Sequence, residues 1–167
     1  MFYEKNSPLE NLTVLVVNKD SDILDSVADE LGMCLVHLAP DYETALQYLL
    51  GYKYDVVIFD VMDINTLELF KISISQKFPA IILTADEVAL ESLKKSIQMG
   101  AVFFFPRELL QELREFLEKL ILDKWKPDWL PVFDRVDLYL GKYLGSDQKG
   151  KKNFIKEIRK NVLEYMR

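Results

Sequence analysis

The sequence predicts an α/β fold with a doubly wound, five-stranded parallel sheet and helices on both faces. Between residues 12 and 123, short apolar runs alternate five times with amphipathic segments. Because each run is followed by a helical segment, consecutive strands need right-handed crossovers and lie parallel. Of the open doubly wound strand orders, 2-1-3-4-5 suits five strands.

Five apolar runs supply the predicted strands. They are LTVLVV (12–17), CLVHLA (34–39), DVVIF (55–59), AIILT (80–84) and AVFFF (101–105). The unbroken apolarity of the third run fits a strand that is buried on both faces of a parallel sheet.

Amphipathic segments supply the predicted helices at residues 20–31, 41–50, 66–77, 87–98 and 108–122. Asp41 is a suitable N-cap for the second helix, and Pro79 stops the third. In the last helix, one apolar stripe contains Leu109, Leu113, Phe116 and Leu120.

Charge and composition divide the chain into a domain at 1–122, with its core at about 10–122, and a helical C-terminal extension at 123–167. The first part carries 10 Lys and Arg against 20 Asp and Glu, and the second carries 11 against 7. A basic extension can bind an anionic partner or nucleic acid. We favour the interpretation that it lies partly against its own acidic domain, and we rank nucleic-acid binding last. Dimerisation through Trp125, Trp129 and Phe133 is a further interpretation.

The remaining composition predicts a soluble cytoplasmic protein. Cys34 is the single cysteine, which excludes an internal disulfide and suits a reducing compartment. The N-terminus does not resemble a signal peptide, and no apolar stretch approaches the roughly 20 residues that span a bilayer. His37 is the single histidine and lies inside a predicted strand, so a catalytic triad or a histidine-based metal site is not expected.

Polar residues follow four of the predicted strands. They are Asn18, Lys19 and Asp20 after the first strand, Asp60 after the third, Thr84 at the end of the fourth and Arg107 after the fifth. Ligands of doubly wound sheets bind beyond the carboxyl ends of the strands, so we expect these residues to surround one pocket. Taken alone, Asp60 also suits a helix cap or a turn.

Four motifs resemble the receiver domains of two-component response regulators. VVNKD (16–20) resembles the family's VVDDD-type strand end, and FDVMDIN (59–65) with LELF (67–70) resembles its DxM segment. LTAD (83–86) resembles its hydroxyl-Ala switch, and GAVFFFPREL (100–109) resembles its GAxxYxxKP stretch. The match covers residues 10–122, and the resemblance implies a flavodoxin-like receiver, here a stand-alone atypical member with a helical tail.

The resemblance assigns a role to each site residue. Asp60 stands at the phosphoacceptor position, and Thr84 at the switch hydroxyl. Arg107 replaces the phosphoryl-contacting lysine, but it also suits an exposed arginine that opens the last helix. Phe104 replaces the switch tyrosine and lacks its hydroxyl, so it could act by packing alone; we favour a purely structural aromatic there.

The family's Mg²⁺ site maps onto Asn18, Lys19, Asp60 and the backbone carbonyl of Met62. Magnesium prefers carboxylate and water oxygens, and a lysine charge at about 4 Å opposes a cation by several kcal/mol. We therefore expect Mg²⁺ to bind weakly or not at all. In an alternative arrangement Lys19 points to solvent, and Asn18, Asp20 and Asp60 hold the metal feebly.

Two functions remain open from the sequence. In the first, the chain is a non-enzymatic receiver in a phosphorelay: a sensor histidine kinase or a small acyl-phosphate donor phosphorylates Asp60. In the second, it is a pseudo-receiver binding module in which Lys19 or Arg107 neutralises Asp60 permanently.

Overall fold

The computed structural model describes residues 7–60, 64–84, 98–100 and 103–122, with residues 149, 153, 156, 157 and 160. Most of the predicted fourth helix lies outside the described residues. So do Met62, Trp125, Trp129 and Phe133, and with them the predictions made for the extension.

The described residues form one parallel sheet. Its strands are β1 (Thr13–Val17), β2 (Leu35–Ala39), β3 (Val56–Asp60), β4 (Ala80–Thr84) and β5 (Phe103–Pro106). They lie in the order β2-β1-β3-β4-β5, and each neighbouring pair is parallel. The prediction of an α/β fold built on a parallel sheet is confirmed.

Helices connect the first four strands, and two more follow the last strand. They are α1 (Ser21–Glu30), α2 (Tyr42–Gly51), α3 (Ile64–Ser75), the 3₁₀ helix η1 (Arg107–Glu112) and α4 (Leu113–Leu122). The strand order reverses direction after β2, so right-handed crossovers place α1 on one face and α2 and α3 on the other. Accordingly, α2 packs against α3, and α1 packs against η1 and α4.

The core sits on both sides of the central strands, which explains their unbroken apolar sequences. Val14 to Val17 and Val56 to Phe59 are buried, as are Ala80 to Leu83. The strand β2 forms one edge of the sheet, and its first residue, Leu35, is 57% exposed. A fully buried strand needs apolar side chains on both faces, whereas an edge strand does not.

Side-chain acceptors start two of the helices. The carboxylate of Asp20 accepts a hydrogen bond from the N–H of Asp22 (2.9 Å) at the start of α1, and that of Asp41 accepts from the N–H of Thr44 (2.8 Å) at the start of α2. Each of these bonds satisfies a backbone donor that the helix itself leaves unpaired.

Several helix boundaries differ from the sequence prediction: α1 and α2 differ by one residue at each end, and α3 begins at Ile64 rather than at residue 66. The helix α3 ends at Ser75 rather than at residue 77, because Lys77 adopts a left-handed conformation (φ 63°) and the chain turns before Pro79. The segment predicted as one helix over 108–122 begins with six residues of 3₁₀ helix from Arg107 to Glu112. Short 3₁₀ turns are common at helix ends.

Among the described residues, the longest helix has 12 residues. None of the helices described here has the length and apolar character needed to cross a membrane.

Candidate functional site

Four strand ends meet at one edge of the sheet and carry the polar residues singled out in the sequence. Asn18 directly follows β1, and Asp60 is the last residue of β3. Thr84 is the last residue of β4, and Arg107 directly follows β5. All four positions therefore lie at the carboxyl edge of the sheet, where doubly wound folds bind their ligands.

The strand register gives the relative positions of these ends along the strand direction. Val17 pairs with Phe59, Asp60 pairs with Leu83, and Thr84 pairs with Pro106. Position 18 is therefore level with position 60, position 84 is one residue higher along the strand direction, and position 107 is two residues higher. Neighbouring strands lie about 4.8 Å apart, so the backbone at position 60 is a close neighbour of those at positions 18 and 84. Position 107 is two strands and two residues away from position 60, or about 12 Å.

Asn18 is the best-defined polar side chain at this edge, with only 3% of its surface exposed. Its backbone N–H donates to the carbonyl of Ala39 (3.1 Å), which continues the pairing of β1 with β2. Its side-chain Oδ1 accepts a hydrogen bond from the backbone N–H of Asp20 (2.9 Å). This bond holds the tight turn that leads from β1 into α1.

Asp20 and Lys19 occupy the rim of the same turn, and both are exposed. The Asp20 carboxylate caps α1 through the N–H of Asp22, so its position is fixed by the helix start. The sequence predicted that Asp20 begins the first helix, and the structure shows this cap.

Arg107 directly follows β5, two strands away from Asp60. It is half-buried, and its Nε atom lies in the interior. It begins η1, which packs against α1, the helix that starts beside Asn18. The fold therefore places a guanidinium-bearing residue in the layer that flanks the site.

The other predicted site residues are placed by their backbones. Phe104 lies within β5 and pairs with Ile82 of β4, two residues before the end of that strand. Met62 lies outside the described residues. The chemical roles given to Asp60, Thr84, Phe104 and Arg107 stay predictions.

A cluster of aromatic rings away from this edge was not foreseen from the sequence. His37 on β2 stacks on Tyr48 (ring centroids 4.9 Å apart) and contacts Tyr52 edge-on (4.9 Å). Its Nδ1 lies 2.7 Å from the hydroxyl of the buried Tyr54. The spacing of the three tyrosines before β3 was the available signal. These contacts give His37 a structural role within the part of the chain described here.

Cys34 is equally unsuited to nucleophilic chemistry. Its Sγ donates to the carbonyl of Leu9 (3.4 Å), and the side chain packs against the core. Burial, helped by the nearby Asp55 carboxylate, raises the pKa of this thiol to about 11. The reactive thiolate is therefore scarce at neutral pH.

Comparison with known proteins supports the resemblance through structure rather than sequence. No protein-family model matches the chain, and no curated protein matches it. Solved structures do. A response regulator from Thermotoga maritima is 26% identical with a TM-score of 0.59, and the match covers 66% of this chain and 98% of that one.

Two further structures agree. The chemotaxis protein CheY4 of Vibrio cholerae is 28% identical with a TM-score of 0.57, over 65% of this chain and 98% of that one. The receiver domain of the Francisella response regulator 1452 is 25% identical with a TM-score of 0.53, over the same shares. Over about two thirds of its length the chain therefore has the fold of response-regulator receiver domains, to which its four motifs predicted a likeness.

Proposed function

We propose that this chain is an atypical receiver that acts in phosphorelay signal transduction through protein–protein contacts, with Asp60 as its phosphoacceptor. The observation that carries the proposal is the position of Asp60. It ends β3, the central strand of the sheet, at the carboxyl edge, and Thr84 ends the neighbouring strand. The structural neighbours are response regulators and receiver domains.

The chemistry at Asp60 is the transfer of a phosphoryl group. A carboxylate oxygen forms a bond to phosphorus while the bond between phosphorus and the donor's leaving group breaks, which produces an acyl phosphate. The Thr84 hydroxyl then donates a hydrogen bond to a phosphoryl oxygen, and Arg107 supplies positive charge. Guanidinium is well suited to phosphoryl oxygens because it offers several donors in one plane.

We expect Mg²⁺ to contribute weakly to this reaction or not at all. The Oδ1 of Asn18 already accepts the N–H of Asp20, and the residue lacks the charge of a carboxylate. Lys19 is a cation where the family has an acid. These residues do not fit the hard oxygen ligands that Mg²⁺ requires, so no step is assigned to the metal.

The output of the domain is a change in affinity for another protein, and the domain itself is not an enzyme. A sensor histidine kinase or another signalling protein of the cytoplasm is the expected partner at the site. Residues 123–167 are proposed to mediate homodimerisation through Trp125, Trp129 and Phe133.

The test is phosphorylation by acetyl phosphate, with and without Mg²⁺, followed by intact-protein mass spectrometry. We expect the wild type to gain one phosphoryl group and Asp60→Asn to gain none. Asp55→Asn is the matched control: Asp55 precedes the opposite end of the same strand and accepts the N–H of Thr13 (2.9 Å), which an asparagine oxygen can also do. Absence of any mass change in the wild type at saturating donor would refute the proposal.

A second function is favoured by the change of both family acids to Asn18 and Lys19. In a pseudo-receiver, Lys19 or Arg107 neutralises Asp60 permanently, and the fold serves as a binding module that phosphorylation does not control. Lys19→Asp separates the two functions. If Lys19→Asp gains Mg²⁺-dependent phosphorylation while the wild type has none, the pseudo-receiver is supported; phosphorylation of the wild type excludes it.

A further inference from the structure

The side chain of Asn18 is oriented by a hydrogen bond that leaves only its donor group available. Oδ1 accepts the backbone N–H of Asp20 at 2.9 Å. A backbone N–H can only donate, so this contact fixes which end of the carboxamide is oxygen. Nδ2 is buried and has no hydrogen-bond partner among the described residues.

A buried amide nitrogen without a partner is unusual, because buried polar groups are nearly always satisfied in folded proteins. This one lies at the carboxyl edge of the sheet, directly after β1 and beside the end of β3. An amide NH₂ group offers two hydrogens and no lone pair for coordination. It therefore needs an acceptor, and a metal cation is not one.

The charges beside Asn18 also favour an anion over a metal cation. Relative to a pair of acids, Asn18 and Lys19 remove two negative charges and add a positive one. Arg107 adds a second cation in the flanking layer, half-buried at the start of η1. The negative charges of Asp20 and Asp60 oppose an anion, and the hydrogen bond from the N–H of Asp22 holds the Asp20 carboxylate at the start of α1.

We propose that this edge of the sheet binds a phosphoryl oxyanion non-covalently and without a divalent metal, with Nδ2 of Asn18 as a hydrogen-bond donor and Lys19 as the neighbouring positive charge. Tetrahedral oxyanions offer several strong acceptors and negative charge, which matches a site of donors and cations. The inference rests on the proposed function for the location of the site. It does not require transfer of a phosphoryl group to Asp60.

The probe is inorganic phosphate, titrated into the full chain with metal removed by chelation and followed by ¹H–¹⁵N NMR. We expect saturable shifts of the Asn18 side-chain amide and of the backbone amides of residues 18–20. Asn18→Asp keeps the acceptor for the N–H of Asp20, so the turn is retained, but it replaces the donor by a negative charge. Its phosphate affinity should fall at least about tenfold.

Two further variants keep the test decisive. Asn11→Asp makes the same chemical change at an exposed position before β1, at the opposite end of the sheet, where φ is 68° and an aspartate is tolerated. We expect its affinity to stay within about twofold of wild type. Lys19→Gln removes an exposed charge, and we expect affinity to fall about two- to fivefold.

Specific results would overturn the inference. They are the absence of saturable shifts at residues 18–20, equal losses in Asn18→Asp and Asn11→Asp, and phosphate binding that appears only with Mg²⁺. Asp60→Asn distinguishes this site from phosphorylation, because it cannot form the acyl phosphate yet should bind phosphate at least as tightly as wild type. Phosphate binding without acetyl-phosphate labelling contradicts the proposed function alone, and labelling without phosphate shifts contradicts this inference alone.

Discussion

Replacing Gly100 by alanine should destabilise the domain through the backbone. Gly100 precedes β5 and has φ +123°, a backbone conformation that residues with a Cβ atom rarely adopt. A Cβ atom at this position would lie 3.3 Å from Cδ1 of Ile74 and 3.5 Å from its Cγ2. The first of these contacts is tight, but it involves the flexible end of a side chain.

The magnitude follows from two opposing effects. Forcing an alanine into such a conformation costs about 1–3 kcal/mol, while the reduced freedom of the unfolded chain returns about 0.4–1 kcal/mol. The free energy of unfolding should therefore fall by about 1–2 kcal/mol in Gly100→Ala.

Gly51→Ala is the matched control. Gly51 is the exposed last residue of α2, and a Cβ atom there would meet nothing within 4 Å. Alanine is favoured over glycine in helices by about 0.5–1 kcal/mol, with less gain at a helix end. The free energy of unfolding should stay the same or rise slightly.

Urea unfolding followed by far-ultraviolet circular dichroism measures both variants, and equal slopes with denaturant permit the midpoints to be compared. Ile74→Val, alone and combined with Gly100→Ala, separates the contact from the backbone strain, because it removes the Cδ1 atom and leaves φ unchanged. If Gly100→Ala is as stable as Gly51→Ala, the reasoning from φ is wrong. If Ile74→Val rescues Gly100→Ala fully, crowding rather than strain is the cause.

Two further predictions concern single hydrogen bonds. Tyr54→Phe removes the buried hydroxyl that lies 2.7 Å from Nδ1 of His37 and should lower the free energy of unfolding by about 1–2 kcal/mol. Tyr52→Phe is the control: its ring is 54% exposed, so the free energy of unfolding should change by less than about 0.5 kcal/mol. Equal effects of the two variants in urea unfolding would contradict this prediction. The backbone and side chain of Thr44 hold the pKa of Asp41 below its ordinary 3.8, so its charged form stabilises the fold above that pH, and the contribution is lost as pH falls through the lowered pKa. Asp41→Asn should therefore unfold at a lower temperature than wild type at neutral pH, with a difference that shrinks in acid; a difference independent of pH would contradict the assignment.

The elements that sequence predicted well are those with local causes. Unbroken apolar runs became the central strands because both faces of the sheet are covered. Asp20 and Asp41 became helix caps because their side chains reach a backbone N–H within three residues. The end of α3 was missed because its left-handed residue is Lys77 rather than a glycine.

In the candidate site, too, the features with local causes could be predicted from the sequence and the tertiary ones could not. The position of Asp60 at the sheet edge follows from the order of the strands, which the alternating pattern already implies. The orientation of the Asn18 carboxamide does not follow from the strand order, because it depends on the turn that leads from β1 directly into α1. The ring contacts of His37 are likewise tertiary, joining β2, the end of α2 and the start of β3.

The hydrogen bond from the Asp20 N–H to the side chain of residue 18 uses an oxygen that asparagine and aspartate both possess. The shape of this loop is thus insensitive to whether residue 18 is neutral or ionised. The charge of residue 18 can therefore change while the backbone geometry of the loop stays the same. A single exchange of asparagine for aspartate would change whether this edge favours an anion or a cation, without changing the loop conformation.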